Sequence, residues 1–395
     1  DHPEFQFLPR KFKIAITGTP NDRAAVKVHD IGVRMIEGPN GDIGFEILAG
    51  GGLGRTPFIA KTVRDFLPKE SLLSYLEAIL RVYNRHGRRD NKYKARIKIL
   101  VHEMGIEAFR AEVEEEWERI KDGVFDVPAE EIARIHAYFQ PPAFEKLDDY
   151  IPSFEEKKLT DPSFARWVKV NVRAHREAGY AIVNISLKPV GGIPGDATDG
   201  QMDAVADFAD KYSFSEIRVT HEQNLVLPHV KQTDLFDLWQ TLVKAELAEA
   251  NIGLITDMIV CPGLDYCALA NARSIPVGQR ISHLFSKLER QHDIGALKLK
   301  VSGCINACGH HHVGHIGILG VDRKGKEDYQ IALGGDATES TSIGQRIGPG
   351  FSYDDIVDAI AIDIAGVADR GAADIVGGFS IKGEAAEAKA DVAEV

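Results

Sequence analysis

The sequence predicts an α+β protein made of two related halves with a smaller β-α-β-β unit between them. Three observations carry that prediction: the chain repeats itself at an offset of about 285 residues, its strands are short and ended by glycine, and a proline-rich stretch at 141–163 divides it. Phe12-Lys-Ile-Ala-Ile-Thr-Gly18 lines up with Leu297-Lys-Leu-Lys-Val-Ser-Gly303, and Ile31-Gly32 lines up with Ile316-Gly317. With one residue deleted, Phe45-Glu-Ile-Leu-Ala-Gly-Gly51 meets Tyr329-Gln-Ile-Ala-Leu-Gly-Gly335. Any two glycine-ended strands look alike, but three collinear matches mark a duplicated scaffold.

The first half spans 1–145. Residues 13–18 and 43–49 are short, apolar and β-branched, which is the composition of strands. From Lys69 to Tyr83 the residues Leu72, Leu73, Leu76, Ile79, Leu80 and Tyr83 recur at three and four, the period of a helix with one buried face. A second helical region runs from about Tyr93 to Ile120, broken near Gly105, and Pro128-Ala-Glu-Glu opens another. The prolines and charges that follow predict a linker over 146–164. The small unit, 165–235, reads as a strand from Tyr180 to Leu187, a helix from Thr198 to Tyr212, and strands at Glu216 to Thr220 and Leu225 to Val230. A helix over 232–249 leads into the second half, 236–370, with strands at 298–302, 315–321 and 328–333 and a helix near 353–368. Residues 371–395 are rich in Ala, Gly, Glu and Lys, a composition that predicts disorder.

A formal charge of -12 argues against wholesale nucleic-acid binding, so an anionic substrate needs a local basic pocket. No apolar run reaches the length of a membrane span, and the opening residues lack a signal-peptide pattern. The expected protein is cytoplasmic. All four cysteines fall between 261 and 308, as Cys261, Cys267, Cys304 and Cys308, spaced C-x5-C, C-x36-C and C-x3-C. In a reducing compartment such a group reads as thiolate ligands to one soft centre rather than as two disulfides. A structural zinc is usually held by tighter C-x2-4-C knuckles, so the spacing favours a 4Fe-4S cluster, with zinc as the alternative.

These residues carry a resemblance. The cysteine pairs, with Ser302-Gly303 before the second and Gly309-His310-His311-His312 after it, resemble the cluster signature of the sirohaem-dependent sulfite and nitrite reductases. Leu8-Pro9-Arg10-Lys11-Phe12-Lys13 and Gly50-Gly51-Gly52-Leu53-Gly54-Arg55-Thr56-Pro57 extend the likeness to about residue 365. The resemblance implies a pseudo-two-fold pair of reductase halves with a ferredoxin-like half-domain between them. It also implies that Cys261, Cys267, Cys304 and Cys308 bind the cluster and that Cys308 bridges it to sirohaem. The first repeat has Thr19 and Arg23 where the second has Cys304 and Cys308, so it keeps the scaffold without the ligands. A counterpart of the small unit is expected ahead of residue 1, on a longer chain or a companion chain.

The resemblance makes Lys11 and Lys13, with Arg10, the anion-binding group. On an extended segment Lys11 and Lys13 share a face, so two ammonium groups can gather an anion and donate protons. A lysine at Lys13 is closer to the sulfite than to the plant-type nitrite reductases. Gly50, Gly51 and Gly52 are expected to let backbone approach a flat cofactor, with Arg55, Arg96, Lys98, Thr220, Gln223 and Asn224 as further sirohaem contacts. His310, His311, His312 and His315 read as hydrogen-bonding groups rather than cluster ligands. No nucleotide fingerprint is present, so electrons must come from a ferredoxin or a flavoprotein. The expected reaction is the six-electron reduction of sulfite to sulfide, with nitrite to ammonia as the first alternative. A non-catalytic iron–sulfur or zinc module is the second.

Overall fold

The computed structural model describes residues 3–123 and 127–361. In the first half, strands β1 (Ile14–Thr17), β2 (Ile31–Glu37), β3 (Ile43–Ala49) and β4 (Lys61–Pro68) form one sheet in that order. Helix α1 (Leu72–His86) buries Leu76, Ile79, Leu80 and Tyr83 of the predicted face, while Leu73 is exposed. The second helical region is two helices, α2 (Ile97–Met104) and α3 (Ile106–Ile120), and the break is Gly105, whose φ of 83° ends one and starts the other. Ile31, Val33, Ile47, Tyr75, Ile79, Phe109 and Trp117 make the core between sheet and helices. Pro128 opens α4 (Ala129–Tyr138) as its residues predict.

The linker expected over 146–164 is largely helical. Pro152 begins α5 (Pro152–Thr160) and Pro162 begins α6 (Pro162–Asn171), because a first-turn position needs no amide proton. Asp161 caps α6 by accepting from the amides of Ser163 and Phe164, and Phe164 and Trp167 are buried in the core of the middle unit. Residues 139–151 alone carry no helix or strand between α4 and α5. In the middle unit β5 (Val172–Ala174), β6 (Tyr180–Ile185), α7 (Asp199–Tyr212), β7 (Arg218–Val219) and β8 (Leu225–Lys231) build an antiparallel sheet of order β5-β6-β8-β7. Thr198 and Gln201 close a capping box at the start of α7. The helix expected over 232–249 is shorter, α8 (Leu235–Lys244). Glu246 takes a φ of 59°, and the Leu247 amide turns back onto the Leu242 carbonyl at 2.8 Å, ending the helix there.

In the second half β9 (Ile259–Val260), α9 (Gly263–Tyr266), α10 (Ile275–Leu284) and α11 (Leu288–Ile294) precede β10 (Leu299–Ser302), β11 (Ile316–Arg323), β12 (Lys326–Leu333) and β13 (Gln345–Ser352), in a sheet of order β13-β12-β11-β10-β9. Residues 353–355 form a turn and 356–361 are helical, while 362–368 of the helix expected near 353–368, like the tail from 371, lies outside the described residues.

The repeat holds residue by residue. β1 pairs parallel with β2 at Ile14 and Ile31, as β10 pairs with β11 at Leu299 and Ile316. Ile31 faces Ala49, and Ile316 faces Leu333, which places the single deletion between the second and third strands of each half. Ala25 (φ 52°) precedes the 3-10 turn Val26–Val28, and His310 (φ 57°) precedes the turn His311–Val313. The isolated bridges Gly52–Phe58 and Asp336–Ser342 also correspond. At Gly32 and Gly317 an added Cβ would strike the carbonyl of Val26 and of His311, so in both halves a bare strand residue lets the turn lie on the sheet. Gly317→Ala is expected to cost about 2 kcal/mol or more by overpacking, read by urea unfolding.

The halves differ at one edge. β9 covers β10, leaving Leu299 at 1% and Val301 at 0% exposure, whereas β1 is an edge strand on which Ile14 and Ile16 are 38% and 55% exposed.

Candidate cluster and cofactor site

Each cysteine is placed by backbone contacts that the thiols do not make themselves. β9 runs beside β10, and the Cys261 amide continues the ladder by donating to the Val301 carbonyl at 3.1 Å. Cys267 follows α9, its amide closing the turn on Gly263, whose φ of 60° and contact with Ser274 leave no space for a side chain. The amides of Asn271 and Ala272 both donate to the carbonyl of Gly303, which ties the first cysteine loop to the residue before Cys304. Between Cys304 and Cys308 the chain turns through Ala307 at φ 56°, and the Gly309 amide donates to Ser302 Oγ at 3.1 Å.

The four thiols converge. Burial pushes the Cys304 thiol up from its ordinary value and the thiols of Cys308, Cys261 and Cys267 add to the rise, so all three lie within electrostatic range of it. The Gly303 amide donates to Cys261 Sγ at 3.0 Å, the contact a thiolate accepts best. Among the described residues no three His, Cys, Asp or Glu are spaced to hold a single ion. Thiols within electrostatic range of Cys304, but not grouped tightly around one point, fit a cubane better than one zinc. Cys304 is buried, Cys261 and Cys267 are half-buried, and Cys308 is exposed.

Lys11 and Lys13 are exposed while Phe12 between them packs on the first core, the alternation the sequence predicts. Lys13 lies within electrostatic range of His310, two residues past Cys308. Arg10 is turned away: its guanidinium donates to the Lys92 carbonyl at 3.0 Å.

The other expected cofactor contacts are engaged inside the protein. Arg96 forks onto the buried carboxylate of Asp30, with Nε at 2.9 Å, and Asp30 also receives the Lys13 amide at 3.0 Å. Lys98 is buried and donates to the carbonyls of Leu53 and Thr56 at 2.8 and 2.6 Å. Burial, helped by the charge of Arg96, brings it down to about 8. The space beside Gly50 is filled by Val101, beside Gly51 by the carbonyls of Lys27 and His29, and beside Gly52 by Lys98. These glycines therefore serve the interior of the first half. Arg55 is exposed and lines a cavity of about 410 Å3 with Ile305, His311 and Arg346.

Gln223 clasps Val260 through both its amide atoms, at 3.0 and 2.9 Å, as a strand would. Asn224 receives the Leu187 amide and donates to Asp257, and Thr220 Oγ1 accepts from the amides of Glu222 and Asn224. This loop thus holds β9, and through it Cys261. Two of the histidines take the polar contacts expected of them: His312 Nε2 meets the Gly54 carbonyl at 3.0 Å across the two halves, and His315 Nδ1 accepts from the Lys298 amide at 3.2 Å, whereas both ring nitrogens of His311 are buried without a hydrogen-bond partner among the described residues. Burial pulls His310 and His311 down to about 3.

A duplicated α+β scaffold with four converging thiols on its second copy defines an iron–sulfur protein. The chain belongs to the nitrite and sulphite reductase 4Fe-4S domain family, whose pattern matches residues 1–121 and 254–365, and the nitrite/sulfite reductase ferredoxin-like half domain matches 175–245. Membership assigns it the cofactors of that family, a 4Fe-4S cluster and sirohaem. It is 25% identical to the chloroplastic ferredoxin–nitrite reductase of Arabidopsis thaliana over 91% of this chain and 56% of that one. It is also 25% identical to sulfite reductase (ferredoxin) 1 of Mycolicibacterium paratuberculosis, over 88% of this chain and 57% of that one. The chain thus spans a little over half the length of these relatives. The solved NirA protein of Mycobacterium tuberculosis superposes with a TM-score of 0.72 at 23% identity, over 94% of this chain and 62% of that one, which is a likeness of fold. Among the described residues no helix is long and apolar enough to cross a membrane.

Proposed function

We infer that this chain holds the 4Fe-4S cluster and one face of the sirohaem in a reductase of sulfur or nitrogen oxyanions, with sulfite the preferred substrate. The observation that carries this reading is the exposed Cys308 beside the buried Cys304 of the same loop, with the Lys13 ammonium in electrostatic range of that loop. Bound there, sirohaem and cluster supply the iron that takes the anion and the relay for six electrons.

The chain's own part is to hold, neutralise and protonate. Cys261, Cys267, Cys304 and Cys308 would hold the cluster on backbone fixed by Gly303, and the exposed Cys308 would be the ligand it shares with the sirohaem. Lys11 and Lys13 present two ammonium groups on one face, which lowers the energy of a bound anion and places protons beside its departing oxygens. Arg10 fixes the entry of that segment through Lys92, and Arg96 does so through Asp30 and the Lys13 amide. Electrons arrive from a ferredoxin or a flavoprotein. Nitrite is the second reading, because the relatives include enzymes named for each anion.

Protein purified without air is expected to show isobacteriochlorin absorption with a broad iron–sulfur shoulder and to turn over sulfite faster than nitrite. Lys11→Met with Lys13→Met is expected to lower kcat/KM for sulfite by about 10²-fold or more with pigment content unchanged. Colourless protein carrying one zinc would end the proposal.

A further inference from the structure

The duplicated scaffold makes two equivalent positions, and the second has a pocket of its own. Arg23 stands in the first half where Cys308 stands in the second, and Lys298 stands in the second where Lys13 stands in the first. Just as the Cys308 loop comes within range of Lys13, the Arg23 loop meets Lys298 and Lys300. The two line a cavity of about 150 Å3 together with Asp22, His221, Glu222 and Thr338. It lies where both halves and the middle unit meet.

Each carboxylate at this cavity is already engaged. The Asp22 carboxylate is turned onto its own loop, accepting from the amides of Ala24 and Val26 at 2.9 Å each. Glu222 is held by Lys298 at 3.0 Å, with His221 Nε2 at 4.0 Å. Asp336, within range of Lys300, is engaged by the amide and hydroxyl of Thr338 at 2.9 and 2.8 Å. Lys300 is left over. Its side chain is 3% exposed and lines the cavity, yet among the described residues its ammonium has no hydrogen-bond partner. Its first-half equivalent is Ala15, so the fold itself does not require a cation here. Burial, and then the neighbouring Lys298, bring Lys300 down to about 8, the direction an unpaired ammonium takes when it is desolvated. A buried lysine without a partner is costly, and a bound anion removes that cost.

We propose that this cavity is a second anion site, in which Lys300, Lys298 and Arg23 take an oxyanion group, either a small free anion such as sulfate or a carboxylate of the tetrapyrrole. The cavity is too small for the macrocycle itself. The carboxylate source rests on the sirohaem reading above, and the free-anion source does not.

Crystals of the holoprotein soaked in selenate distinguish the two. An anomalous selenium peak among Lys298, Lys300 and Arg23, lost in Lys300→Met while pigment per protein stays constant, identifies a free oxyanion. In that case sulfate raises the Tm of the parent more than that of the variant, measured against chloride at equal ionic strength. No peak in the pigment-loaded parent, with a several-fold fall of pigment per protein in Lys300→Met of unchanged circular dichroism, identifies the carboxylate. No peak together with unchanged pigment overturns the proposal. Protein that carries no tetrapyrrole at all removes the second source, and the selenate peak alone then decides. Arg23→Gln, on an exposed side chain, repeats each arm should Lys300→Met fail to fold.

Discussion

Cys308→Ser is expected to abolish turnover of sulfite and nitrite, by more than about 10³-fold, while leaving the fold intact; changes to the outer partners of a metal ligand typically cost only ~10–100-fold. The fold survives because the loop is shaped without that thiol. Ala307 and His310 adopt left-handed backbone, the Ala307 amide donates to the Cys304 carbonyl at 3.1 Å, and the Gly309 amide donates to Ser302. Cys308 itself is exposed, so a hydroxyl in its place creates no cavity and no buried unpaired group. Iron content and the visible spectrum are therefore expected to change with circular dichroism constant. Cys304→Ser makes the contrast: its side chain is buried and its backbone anchors the turn, so loss of the cluster there is expected to loosen the loop as well. A Cys308 variant that keeps pigment, iron and turnover would contradict the bridging role.

What the sequence makes legible is what repeats or alternates. The 285-residue offset is readable because strand pairing preserves it, Ile14 with Ile31 and Leu299 with Ile316, so packing constrains both copies in the same way. Lys11 and Lys13 are readable because Phe12 between them must face the core. Arg96, Lys98, Gln223 and Asn224 have partners that the sequence does not show, because each partner is a distant residue of the same chain, and the space beside Gly50 to Gly52 is filled by Val101, Lys27, His29 and Lys98. Asp30 takes Arg96 and Val260 takes Gln223, and neither pairing leaves a local pattern. Pro152 and Pro162 each begin a helix that the sequence does not show, since a helix start and a linker use the same residue. Lys300 is hidden inside a strand that reads as one more alternating segment, and its burial appears only when β9 and the Arg23 loop close over it.

The other large effect is expected at a pair with no catalytic part. Lys188 of the middle unit and Asp257, four residues before Cys261, meet at 2.5 Å with side chains 1% exposed on both sides. Asp257 also receives Asn224 Nδ2 and the Gly253 amide at 2.8 Å each, and Lys188 donates to the Glu222 carbonyl, so the pair fastens the 220–224 loop to the start of β9. Removing one partner strands the other charge in a dry interior. Asp257→Ala is thus expected to cost about 3–5 kcal/mol in urea unfolding, the usual penalty for breaking a buried pair. Lys188→Met should cost less, because the carboxylate keeps two donors. The double change Lys188→Met with Asp257→Asn should recover most of the loss, since no net charge is then buried and the amide oxygen still accepts. If the pair does hold β9 through Gln223 and Val260, Asp257→Ala will also release iron faster to a chelator than the double variant does. A loss under about 1 kcal/mol for Asp257→Ala, within the range of exposed pairs, would place the fastening of the cysteine strand elsewhere.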